Sequence, residues 1–131
     1  MPDVTSNTAT SEPPLEPFKL SLGEAPLLIS APHAGSFIPD ELREQLTPRA
    51  LESADTDWFM RELYEPIAQD LGASLLTATA SRYVIDLNRP RSDESLYPGQ
   101  NTTGLCPHQS FAGEPLYLDE RAEVSAEDKA W

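Results

Sequence analysis

Three arginines, Arg82, Arg89 and Arg91, fall close together in a chain with nine Lys and Arg against 22 Asp and Glu and a formal net charge of −13. Asp86 is the only acid among them. Guanidinium is planar and permanently charged, and its donor fork matches a carboxylate, so the cluster reads as a receptor for a small anion such as a dicarboxylate. Surface salt bridging is the alternative. His33 lies in Pro32-His33-Ala34-Gly35, just after an apolar run, where an α/β sheet presents ligands and catalytic groups. A neutral ring nitrogen there can bind Zn²⁺ with a carboxylate from another element, although a lone histidine also fits a structural role. His108 is the only other histidine, so a three-histidine site is excluded within this polypeptide and a metal would need Asp or Glu. Asp55-Thr56-Asp57 offers that option, with Asp55 read as a helix cap and Asp57 as available to the site. Asn101, Thr102 and Thr103 supply loop hydrogen bonds suited to a polar substrate, and turn chemistry accounts for them equally well. Cys106 is adjacent to Pro107-His108, but neighbours in sequence need not meet in space, and a small loop or buried cysteine is the better reading.

These groups need a scaffold. Phe18 to Leu22 alternates apolar with polar residues and predicts a short strand, and Leu27 to Ser30 is a continuous apolar run that predicts a buried one. Pro39-Asp40-Glu41-Leu42 opens a short helix, and Thr47-Pro48 supplies the cap and first position of another. The main helix is predicted over Asp57 to Leu71, with Phe59, Leu63, Ile67 and Leu71 on one face, Glu62 and Glu65 toward solvent, and Gly72 as the stop. Pro66 should kink or split it. Ser74 to Thr79 and Tyr83 to Leu87 predict two further strands, the second delivering Asn88 and Arg89 at its end. The order places the chain in the α/β class. Residues 1–16 are rich in Ser, Thr, Pro and Glu and read as a flexible leader to a single unit over residues 17–131. From Asp119 onward a charged segment could begin another helix.

A sequence pI near 4.3 argues against nucleic acid and anionic membrane surfaces as partners. The chain holds no long apolar run and no secretory signal pattern, so a cytoplasmic location is expected. One cysteine excludes an internal disulfide framework. Nucleotide-binding glycine fingerprints and the standard zinc motifs do not occur.

Several segments in series carry a more specific message: Ser30-Ala31-Pro32-His33-Ala34-Gly35-Ser36 with Ile38-Pro39, Asp55-Thr56-Asp57, Arg82 through Arg91, and Tyr97 through Pro107. Together they resemble the N-formylglutamate amidohydrolase (deformylase) family, in its N-terminal half. The resemblance implies a three-layer, zinc-exopeptidase-like (phosphorylase/hydrolase-like) α/β fold. It implies hydrolysis of N-formyl-L-glutamate to formate and glutamate, at the end of one histidine-degradation route. A small anionic N-acyl amino acid would be the substrate and Zn²⁺ the cofactor, with His33 as metal ligand and Asp57 as ligand and catalytic carboxylate. Asn88 and Arg89 would hold the glutamate moiety, and Arg82 and Arg91 its second carboxylate or the developing oxyanion. Asn101 and Thr102 would add substrate contacts. Two departures stand against a complete site: Ser36 occupies the position where exopeptidase relatives place a carboxylate ligand, and an Asp-x-His segment of the longer family chains has no counterpart. The alternatives are a catalytically incomplete fragment and a small dicarboxylate-binding module. Oligomeric state is not legible.

Overall fold

Three strands form one mixed sheet in the computed structural model, which describes residues 16–95, 97–100 and 103–119. Strand β1 spans Phe18–Ser21, β2 Leu28–Ala31 and β3 Ser74–Ala78, in the order β1-β3-β2. β3 is central, antiparallel to β1 and parallel to β2, so the chain is α/β with a mixed sheet. Between β2 and β3 run α1 (Asp40–Arg43), α2 (Pro48–Leu51) and α3 (Met60–Leu71). The Thr47 side chain caps α2 by accepting from the Ala50 N–H at 3.1 Å, as the Thr-Pro pair predicts. Gly72 ends α3 in the left-handed region at φ 65°, where glycine carries no Cβ penalty.

Two cores hold these elements. Ala68, Ala73 and Leu75, with Tyr64 and Ile29, form the smaller one between α3 and the sheet. Ile38, Leu42, Leu46, Ala50, Tyr83, Val84, Leu116 and Tyr117 form the larger one, beneath α1, α2 and the chain that follows β3. No helix among the described residues is long and apolar enough to cross a membrane.

The structure corrects four local expectations. Tyr83 to Leu87 is not a strand: Val84 and Ile85 donate to the Ser81 carbonyl at 2.9 and 3.3 Å, which closes a turn. Arg82 pairs with Asp86 four residues later, and a strand would separate those two Cα atoms by about 13 Å. The main helix starts at Met60 rather than Asp57, because Phe59 adopts φ 62° and breaks the helical run before it. Of the kink or split expected at Pro66 the split is absent: α3 runs through it, with Pro66 on the exposed side. The Phe59, Leu63, Ile67, Leu71 stripe does not face the sheet. Those side chains are exposed, and the smaller Ala68 with Tyr64 makes the contact, which lets helix and strands approach closely. Of the expected leader, residues 1–15 lie outside the described residues, while the Glu16 carbonyl accepts from Thr79 Oγ1 at 2.8 Å. The helix suggested from Asp119 onward falls almost wholly outside them too.

Burial predicts where truncation matters. Leu116→Ala, at a side chain only 1% exposed, should cost about 2–5 kcal/mol. Leu63→Ala, in the exposed apolar stripe of α3, should change stability by less than about 0.5 kcal/mol. Denaturant unfolding of the two variants measures the contrast.

Candidate functional site

Beyond β2 the chain stays fastened beside the extension of β3. Phe37 donates to the Thr79 carbonyl at 3.0 Å and accepts from the Ser81 N–H at 2.8 Å, with parallel bridges pairing Gly35 to Ser81 and Phe37 to Ala80. A Cβ at position 35 would collide with the Thr79 and Ala80 carbonyls, so glycine permits this close approach. The Pro32–Gly35 loop is thereby held against the Ser81–Asp86 turn. The segment before α3 is tied to the same loop: Asp57 N–H donates to the His33 carbonyl at 2.9 Å, and Thr56 Oγ1 to the Gly35 carbonyl at 3.4 Å.

Asp86 is the centre of the resulting cluster. Its side chain is fully buried, and Oδ1 accepts from His33 Nε2 at 2.6 Å and from the Asn88 N–H at 2.9 Å. Oδ2 accepts from Arg82 Nη2 at 3.1 Å and has Arg89 Nη1 at 3.8 Å. The turn is anchored from the far side as well, since Asp86 N–H donates to the Leu105 carbonyl at 2.8 Å and Leu105 N–H to Asp93 Oδ1 at 2.7 Å. Burial pushes the Asp86 carboxyl up, but the His33 hydrogen bond, the Asn88 N–H and the nearby His33 and Arg82 charges outweigh it and hold the group below its ordinary value.

An ionised Asp86 can only accept, so Nε2 of His33 is the donor and Nδ1 is the ring atom left for other work. Nδ1 lies 4.0 Å from Asp57 Oδ2; the histidine side chain is 13% exposed and the aspartate 53%. Nδ1 and the Asp57 carboxylate thus lie near one another, a nitrogen and an oxygen donor of the types that zinc takes. Donor chemistry therefore fits His33 and Asp57 as two ligands of a zinc ion, with Asp86 orienting the histidine from behind. No group of three His, Cys, Asp or Glu side chains that could hold a metal ion occurs among the described residues.

Most of the residues singled out from sequence converge here: His33, Asp57, Arg82 and Arg89 gather about Asp86, with Asn88 joined through its backbone. Arg89 is already committed in part, donating Nε to the Thr103 carbonyl at 2.8 Å and Nη1 to the Asn88 carbonyl at 2.9 Å. Arg91 is exposed and outside these contacts. Asn101 and Thr102 lie outside the described residues. Asp55 does not cap α3; its Oδ2 accepts from the Phe111 N–H at 2.8 Å and it bonds the Tyr83 hydroxyl, which burial and then this bond push up to about 12. The His108 ring packs near Tyr117, with centroids 5.8 Å apart. Sequence reasoning missed the role of Asp86. The available signal was an acid inside the apolar run Val84-Ile85-Asp86-Leu87, since such an acid is buried only with partners.

Comparison with known proteins bears on the same residues. The profile of the N-formylglutamate amidohydrolase family matches residues 25–130. The chain is 49% identical over 109 residues to an N-formylglutamate deformylase of Pseudomonas putida, covering 83% of this chain and 40% of the relative. It is 47% identical over 107 residues to an N-formylglutamate deformylase of Pseudomonas aeruginosa PAO1, covering 82% and 39%. The crystal structure of an N-formylglutamate amidohydrolase from Ralstonia eutropha JMP134 superposes with a TM-score of 0.58 at 29% identity, over 78% of this chain and 42% of that one. The chain thus spans about two fifths of the length of the curated relatives it matches.

Because its carboxyl titrates below the ordinary aspartate range when folded, Asp86 contributes stability that is intact above the unfolded value and lost as pH falls through the folded one. Acid unfolding should therefore be steeper in the parent protein than in Asp86→Asn. The variant should also be about 3 kcal/mol less stable at neutral pH, where the amide meets the Arg82 donors. Denaturation followed by circular dichroism between pH 7 and about pH 2 tests both.

Proposed function

The chain belongs to the N-formylglutamate amidohydrolase family, and on that premise we propose that the Asp86 cluster is part of a site hydrolysing N-formyl-L-glutamate to formate and L-glutamate. One observation carries the reading. A single buried carboxylate joins the histidine suited to a metal with two of the three arginines suited to an anionic substrate. The small α/β sheet is read as part of a three-layer, zinc-exopeptidase-like fold.

In this reading His33 Nδ1 and Asp57 hold a zinc ion, which when bound supplies a polarised formyl carbonyl and water acidic enough to attack it. The protein groups do the rest. Asp86 fixes the ring of His33 so that Nδ1 keeps one direction. Arg82 has one guanidinium nitrogen on Asp86 and further donors for the substrate carboxylate or for negative charge developing on the formyl oxygen. Asn88 is exposed at the rim and, with Arg89 and Arg91, serves the glutamate moiety. Asp57, half exposed beside His33, would carry a proton from the attacking water to the leaving amine nitrogen as the C–N bond breaks. The substrate is a small anionic N-acyl amino acid; Asn101 and Thr102 are proposed to add contacts from the loop that carries them.

One observation favours a second reading, binding of a dicarboxylate without turnover: the described residues bring no third metal-type side chain to His33 and Asp57. Zinc content and formate release separate the two. The hydrolytic reading expects close to one zinc per chain after metal loading, formate from N-formylglutamate, and a loss of zinc in His33→Ala. Arg82→Ala should keep its zinc and lose about 100-fold in kcat/KM, equivalent to about 2.7 kcal/mol. Glutamate binding with no zinc and no formate would support the second reading.

A further inference from the structure

The segment that carries Asp57 is turned sharply at both ends. Ser53 and Phe59 adopt φ 53° and 62°, the left-handed region that side chains with a Cβ seldom enter. Residues held there persist only where surrounding contacts over-determine them. Between the two turns the chain is neither helix nor strand, so contacts from outside the segment must hold it.

Three successive residues make those contacts. Asp55 Oδ2 accepts from the Phe111 N–H at 2.8 Å, and the same carboxylate takes the Tyr83 hydroxyl. Thr56, 7% exposed, donates Oγ1 to the Gly35 carbonyl at a long 3.4 Å. Asp57 N–H donates to the His33 carbonyl at 2.9 Å. Asp55 reaches furthest. Tyr83 is buried in the larger core and belongs to the turn that holds Arg82 and Asp86, while Phe111 follows Leu105, whose carbonyl takes the Asp86 N–H. Asp55 thus ties the Asp57 segment to both stretches that fasten Asp86. The Asp57 side chain is 53% exposed, with His33 Nδ1 at 4.0 Å, so its place is set by its backbone.

We propose that Asp55 is a positioning residue: through Tyr83 and Phe111 it fixes the backbone of residues 55–57 and so sets the spacing of Asp57 from His33. Its consequence for zinc rests on the hydrolytic reading, whereas the spacing itself does not. Without the Asp55 carboxylate the strained ends of the segment relax, and the bond between Asp57 and His33 opens locally while the sheet stays closed.

Amide hydrogen exchange of the metal-free chain, followed by NMR, tests this. Asp55→Ala should speed exchange of the Asp57 amide at least about tenfold, while the Leu76 amide in the central strand β3 stays within about twofold of the parent. Tyr83→Phe removes one arm of the clamp, keeps the ring in the core, and should accelerate the same amide by less. Asp55→Asn retains an oxygen for the Phe111 N–H and should return the Asp57 rate to within about threefold of the parent. Zinc affinity should follow the same order, falling about 10–100-fold in Asp55→Ala. The proposal is overturned by an unchanged Asp57 amide in Asp55→Ala, or by equal acceleration of Asp57 and Leu76, which makes Asp55 a general stabiliser. It is equally overturned if Asp55→Asn restores nothing, which makes charge the working feature, or if Asp55→Ala binds zinc as tightly as the parent. A parent chain that takes up no zinc sinks the hydrolytic reading alone and leaves the exchange rates to decide the spacing.

Discussion

The buried charge of Asp86 is the constraint around which the rest of this structure is arranged. Removing a carboxylate wholly from water is expensive unless its oxygens are satisfied, and a half-satisfied buried ion is worse than none. Here four groups from two stretches of chain meet it: the His33 ring, the Arg82 and Arg89 guanidinium groups, and the Asn88 backbone. The approach of residues 33–37 to the extension of β3, the turn at Ser81 and the Leu105 carbonyl all serve that one demand.

How much of this was legible follows the range of the interactions involved. Local signals worked where the chain decides locally: the β1, β2 and β3 runs form strands and the Thr47 cap and the Gly72 stop are present, although β2, expected to be buried, leaves Leu28 57% exposed. His33 and the arginines were legible as candidates because their residue types are scarce in this composition. Their convergence was not. The His33 to Asp86 bond links residues 53 apart, and nothing in either neighbourhood specifies the other.

The failed expectations have a common physical cause. Tyr83, Val84, Ile85 and Leu87 have the side chains of a strand, yet an i to i+4 ion pair and two bonds to the Ser81 carbonyl fold them into a turn while Tyr83 and Val84 remain in the core. Apolar content fits the burial of Tyr83 and Val84, though Leu87 is exposed, and it does not specify backbone conformation. The α3 stripe errs in the opposite sense. Its period is helical, as expected, but the sheet is met by Ala68 and Tyr64, and the larger residues of the stripe are left exposed.

Net charge poses a last question: how an acidic protein can receive an anion. Exposed charges are screened beyond about 8–10 Å at ordinary ionic strength, so the distant acids contribute little to the potential at the site. The residues within that range decide. Along the stretch from Arg82 to Arg91 three arginines and one aspartate leave a balance of +2, which Asp57 beside His33 reduces, and the stretch's own aspartate is fully buried. Asp86 thus does two things at once. It neutralises part of the cluster so that Arg82 and Arg89 can be held close together, and it orients them without presenting its own charge to solvent.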